Sequence, residues 1–136
     1  MQLTVVTNVD TTQGLAYRLA RVIYAETGAQ TLRDVEALAS MIKNLSQATS
    51  RSMDEIASDA DMFESLQPTS LCHERLKVRA DTSAFAMCLR VVQRMMRGNL
   101  PDCVMGATRF HRTELLPGWA INRGYIMDTG VLTFYL

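Results

Sequence analysis

Glu26 is the residue of this chain best placed for acid–base chemistry. Wound as a helix at about 100° per residue, Leu15 to Glu26 brings Leu15, Leu19, Val22 and Ile23 into one arc roughly 100° wide. Arg18, Arg21 and Tyr17 point elsewhere. Glu26 projects into the middle of the apolar arc, above Val22 and Ile23 at the i+4 and i+3 spacings. Desolvation disfavours the charged form of a carboxyl group, and a carboxyl that keeps its proton near neutrality is what general acid catalysis requires. The plain alternative is a last-turn Glu that escapes to solvent just before Gly28.

Other chemistries find less support. His73 and His111 are the only two histidines. Neither belongs to an H-x-x-x-H or C-x-x-C pair, so no metal site is expected. Cys72, Cys88 and Cys103 form an odd set without ligand spacing, and reduced thiols are expected, with Cys88 a small core residue. No glycine loop suited to phosphate is present, and no cofactor is expected. What remains is carboxylate chemistry beside aromatics. Phe63, Phe110, Trp119, Tyr125 and Tyr135 include several that fall outside helix stripes, as a carbohydrate groove would need. Trp119 taken alone fits a core or lid position at least as well.

The elements that must position these groups can be read from periodicity and punctuation. A first helix is expected from about Thr12 to Ala25, stopped by Gly28. Thr31-x-x-Asp34 opens a second helix with Val35, Leu38, Ala39, Ile42 and Leu45 as its buried stripe. The two should pack as a hairpin holding Glu26 between them, with the acids of the second helix off the buried stripe. Ser52-x-x-Glu55 is a capping box for a short helix to about Ala60. The longest helix should start at Asp81 or Thr82, bury Phe85, Leu89, Val92 and Met96, and end at Gly98. The stretch from His73 to Arg79 reads as a solvated loop face. Beyond Pro101, Gly106 to Arg112 and Gly130 to Leu136 read as extended pieces able to pair, with a turn at Leu116–Trp119. The expected fold class is α+β, mainly helical, with a small antiparallel sheet near the C-terminus.

Composition bounds the function. A chain of 136 residues, 48% apolar, is expected to form one domain over residues 1–136, with 1–12 as a lead-in segment. Fourteen basic and fourteen acidic residues cancel, which argues against a phosphate-backbone binder, so no nucleic acid is expected as a partner. No run reaches membrane-span length. Met1 to Asp10 lacks a basic head followed by an oily stretch, so phage-type release or a trimmed export segment is the expected route to a cell wall.

The run Leu19-Ala20-Arg21-Val22-Ile23-Tyr24-Ala25-Glu26 resembles the A-R-x-I-Y-x-E signature of bacterial cell wall hydrolases of the spore cortex-lytic (SleB) type. The likeness continues through Asn44, Phe63, Gly98, Pro101-Asp102, the Gly106-Ala107-Thr108-x-Phe110-His111 segment, Pro117-x-Trp119 and the Gly130 to Tyr135 strand. It spans about residues 15 to 136. The resemblance implies a lysozyme-like fold related to lytic transglycosylases, Glu26 as acid/base, and cleavage of the β-1,4 bond between N-acetylmuramic acid and N-acetylglucosamine. The implied partner is a peptidoglycan glycan strand, bound by a monomer at the cell wall or in the periplasm. Gln30, Leu45, Met62 and Leu132 depart from the family pattern at positions expected to touch subsites rather than the reacting bond.

Ordinary glycosidases use two carboxyl groups. One convincing candidate here favours a single-acid lytic transglycosylase, with Asp34, Glu36 and Glu64 as possible seconds for a lysozyme-type hydrolase. A noncatalytic peptidoglycan-binding or structural module is the alternative of another class. Thr27, Thr108, His111 and Tyr135 are the expected polar contacts to sugar, with Phe63, Phe110, Trp119 and Tyr125 as the apolar ones. His111 fits a backbone-bonded imidazole equally well, Thr108 could serve the sheet, and Asn44 is expected to tie loops together rather than touch sugar.

Overall fold

A computed structural model describes residues 14–136. The lead-in segment expected over 1–12 and the expected helix start at Thr12 lie outside the described residues. Among the described residues four α-helices precede a three-stranded antiparallel sheet: α1 (Leu15–Thr27), α2 (Leu32–Thr49), α3 (Met53–Ala57), α4 (Ser83–Met96), β1 (Arg109–Arg112), β2 (Tyr125–Asp128) and β3 (Leu132–Tyr135). The protein is mainly helical α+β with its sheet at the C-terminal end. One hydrophobic core runs from Leu19 and Ile23 of α1 through Phe85 of α4 to Phe110 and Phe134 of the sheet.

Helix α1 is the axis of this arrangement. It packs against α2, α3, α4 and the 3-10 turns Glu64–Leu66 and His73–Lys77. Neighbours on several sides explain why Ala20, Ala25 and Thr27 are buried along with Leu19, Val22 and Ile23 of the expected arc, while Leu15 at its start is only partly buried. Gly28, at φ 69°, ends the helix in the left-handed conformation that a Cβ disfavours, and its N–H returns to the Tyr24 carbonyl.

The caps form as their side chains dictate. The Thr31 hydroxyl accepts from the Asp34 N–H at 3.1 Å, and Ser52 with Glu55 makes the full capping box. Helix α3 is shorter than expected and closes at Ala57. Asn44 donates to the Ala107 carbonyl at 3.1 Å and to Asp102 at 3.3 Å, which ties the 101–107 loop to α2.

Three expectations change. The longest helix is α2, with 18 residues against 14 in α4. The buried face of α4 carries Phe85, Cys88, Val91, Val92 and Met95, while Met96 is 45% exposed. This face is rotated from the expected one because α4 lies against both α1 and α2. Asp34 is not off the buried surface: it is 1% exposed, with Oδ1 lacking a hydrogen-bond partner among the described residues.

The sheet order is β1-β3-β2, so β3 is central and β1 is an edge. Gly106–Arg112 and Gly130–Leu136 do contribute paired strands, in the register Arg109↔Tyr135 to Arg112↔Leu132. The third strand, Tyr125–Asp128, was not expected. It pairs with β3 through an irregularity between Tyr125 and Met127. Alternation gives the sheet two faces. Phe110, Arg112, Leu132 and Phe134 face the helical core, and Arg109, His111, Thr133 and Tyr135 face the other way.

Candidate active site

The floor of the site is assembled from three elements. Glu26, in the last turn of α1, is only 2% exposed. Its Oε2 accepts the Ser65 N–H at 2.9 Å. That N–H lies in the first turn of the Glu64–Leu66 3-10 helix, where amides have no partner within the helix. His73 Nδ1 lies 2.9 Å from the Ser65 carbonyl and holds the turn in place. The third element is β1, whose Arg112 brings Nε to 4.0 Å from Glu26 Oε1.

Arg112 is itself buried and ion-paired with Glu64. It also donates to the Cys72 sulfur. Its Nε–H is the one guanidinium nitrogen left without a hydrogen-bond partner among the described residues. Glu64, its side chain 40% exposed, also accepts from the Ser70 hydroxyl at 2.8 Å. Arg112 therefore joins a fully buried carboxylate to a half-exposed one. A lone carboxylate this deep would be costly, and an adjacent guanidinium offsets much of that cost. The last turn of α1 is balanced in the same way. Arg75 donates to the Ala25 carbonyl at 3.0 Å, against the negative end of the helix dipole. The His73–Lys77 turn is thus a working cap for α1 and its neighbour turn, not only a solvated face.

Glu26 opens onto a cleft of about 800 Å³. One wall comes from the end of α2 and the loops beside α3, with Leu45, Thr49, Arg51, Asp59 and Asp61. The other comes from β1 and the Gly118–Asn122 turn. Residues from both faces of β1 line the cleft, so the unpaired edge of this strand borders it. Glu26 is therefore held by the Glu64–Leu66 turn and β1, rather than between α1 and α2 as the stripes suggested.

The expected sugar-contacting residues divide into two groups. Thr108, Phe110, His111 and Trp119 line the cleft with Glu26. Thr27, Phe63, Tyr125 and Tyr135 do not. The Thr27 hydroxyl donates to the Ile23 carbonyl at 2.7 Å and accepts from the Ala29 N–H at 3.0 Å, which commits it to the helix end. Phe63 is fully buried and packs on Phe110 with ring centroids 5.7 Å apart. Tyr125 is 58% exposed and bonds Asp128 at 2.8 Å, which raises its phenol pKa. Tyr135 is buried behind the wall, its hydroxyl 2.9 Å from His111 Nε2, while His111 Nδ1 lies 2.7 Å from the Arg112 carbonyl. His111 is thus spoken for at both nitrogens, with Trp119 edge-on at 5.7 Å.

Arg112 and Ser65 are the functional candidates that sequence reasoning missed. Arg112 could have been found from the alternation that puts Phe110 on the core face, since i+2 on a strand shares that face. Ser65 acts through its backbone, which leaves no residue-type signal. Among the described residues no group of three His, Cys, Asp or Glu side chains could hold a metal ion, and no helix is long and apolar enough to cross a membrane. The chemistry of the cleft is carried by its own geometry, since no protein-family model, curated protein or solved structure matches this chain at a significant level.

Proposed function

We propose that this chain is a peptidoglycan-cleaving glycosidase that acts on the MurNAc-β-1,4-GlcNAc bond as a lytic transglycosylase, with Glu26 as the single acid/base. The observation that carries the reading is a carboxyl group 98% withdrawn from solvent at the floor of an open cleft walled by Trp119, Phe110 and polar side chains. Its agreement with the A-R-x-I-Y-x-E resemblance adds support, and the lysozyme-like fold belongs to the same proposal. A protein of this kind would act at the cell wall or in the periplasm.

In the scheme, protonated Glu26 gives its proton to the glycosidic oxygen as the C1–O bond breaks and an oxocarbenium-like state develops. The resulting carboxylate then accepts the proton of the muramic C6 hydroxyl, whose oxygen closes onto C1. The products are a 1,6-anhydromuramyl end and a new GlcNAc hydroxyl end, so protons and bonds balance without water. Ser65 N–H fixes one Glu26 oxygen and leaves the other for the substrate. Arg112 faces the carboxylate that forms after donation, an interaction stronger after proton transfer than before, and such interactions accelerate a step.

A second reading has one observation in its favour. Glu64 lines the same cleft and shares Arg112 with Glu26. A retaining or inverting hydrolase needs a second carboxylate within about 5–10 Å, and Glu64 is the candidate for it. Zymography on purified peptidoglycan with wild type and Glu26→Gln, followed by mass spectrometry of the digest, separates the possibilities. The expected result is lysis by wild type, anhydro ends, and a loss of at least about 100-fold in Glu26→Gln. Hydrated reducing ends assign the hydrolase. Binding without turnover by wild type assigns a noncatalytic module and overturns the enzyme reading.

A further inference from the structure

Four arginines line the cleft, and their charges are met in different ways. Arg51 pairs with Asp59 at 3.0 Å, and Arg112 pairs with Glu64 beside Glu26. Arg109 has no carboxylate partner among the described residues, although Glu114 lines the same cleft. Its guanidinium instead lies over the Trp119 ring, 4.3 Å from the centroid. Arg123 donates to the carbonyl oxygen of Leu136, the neighbour of Tyr135, which is the cross-strand partner of Arg109. Arg109 is therefore the one cleft arginine whose charge meets neither a carboxylate nor a main-chain oxygen among the described residues, and it stands on the outer side of the sheet.

Stacking on an aromatic face occupies the plane of a guanidinium and leaves its N–H edge free. That edge matches a carboxylate in a two-point contact. Trp119 also restrains the side chain before any ligand arrives, which lowers the entropy lost on binding. The alternating sugars of peptidoglycan are uncharged where the lactyl carboxyl is joined to peptide. The anionic groups of such a polymer are the carboxylates of the peptide stem, so the charge of a guanidinium at the lip finds its complement there, whereas bare sugar offers only neutral acceptors.

We propose that Arg109, seated on Trp119, forms a subsite for a carboxylate of the stem peptide, so that the cleft selects peptide-bearing glycan. The inference rests on the glycan reading above and adds its substrate class. Trp119 is the only tryptophan of the chain, so its fluorescence reports on this site alone.

The test titrates the full chain with three compounds: GlcNAc-MurNAc carrying Ala-Glu with free carboxylates, the same compound with both carboxylates amidated, and an uncharged tetramer of GlcNAc. The free acid should bind about fivefold more tightly than its amide, the scale of one exposed charge contact. Arg109→Gln should erase that preference while affinity for the amide is kept. Equal binding of acid and amide by wild type, or an undiminished preference in Arg109→Gln, overturns the subsite and leaves the glycan reading standing. A Trp119 signal that responds to none of the three, together with no cleavage of peptidoglycan, overturns both.

Discussion

The two faces of the C-terminal sheet use arginine in opposite ways. On the inner face Arg112, two residues on from Phe110, is buried and faces two carboxylates and a thiol. On the outer face Arg109, three residues earlier on the same strand, lies over Trp119 in the open. The inner cation is part of how the fold keeps Glu26 in a dry place. The outer one meets the Trp119 ring but no carboxylate among the described residues. Because β1 is an edge strand, a single cleft reaches both. A four-residue strand thus supplies the charge that the floor needs and the charge that the lip can offer to something else.

The contrast is broken most severely by Arg112→Met. It removes the buried guanidinium that pairs with Glu64 and faces Glu26, and breaking a buried pair by removing one member costs about 3–5 kcal/mol. Urea denaturation at neutral pH should show that loss, whereas Arg109→Gln should stay within about 0.5 kcal/mol of wild type. Equal losses for the two variants would erase the distinction between the faces. Tyr135→Phe sharpens it from the outer side. The phenol bonds only His111, so about 1 kcal/mol of stability should be lost, with cleavage of peptidoglycan largely retained. A large loss of activity would move His111 from support into the chemistry.

The smallest effect concerns thiols. Burial pushes the Cys88 thiol up from its ordinary 9.0 to about 12, so it stays protonated and unreactive in the native protein. A disulfide reagent at pH 8 should modify exposed Cys103 and leave Cys88 untouched until denaturant is added. The raised native pKa contributes stability that is intact below pH 9 and is lost as the pH climbs toward 12.

Legibility followed length and regularity. Thirteen residues of α1 carry enough helical turns for the arc beneath Glu26 to emerge from spacing alone, and the hydroxyl caps at Thr31 and Ser52 announce themselves through residue type. The sheet was harder. Arg-Phe-His-Arg is too short to display an inside and an outside, and a charged residue in it reads as solvated, so Arg112 was not expected on the floor. Tyr125–Asp128 is equally short, and its irregular pairing with β3 spoils the alternation that would have marked a strand. Asp34 was misplaced because an acid in a first turn usually serves the helix dipole from the surface. The partner of Glu26 escaped notice for a different reason: a backbone amide such as that of Ser65 has no signature in the alphabet.

The strand order has a consequence in time. β3 is the middle strand and the last of the three in chain order, so neither outer strand finds its neighbour until residues 132–135 have left the ribosome. Synthesis proceeds at about 5–20 residues per second and earlier regions fold first. The helical body can gather while Arg112 still waits for its anchor, and a nascent chain would carry its acidic side chain for seconds before the opposing cation arrives. The proposed glycosidase chemistry, which needs this juxtaposition, therefore becomes possible only once β3 has joined the sheet.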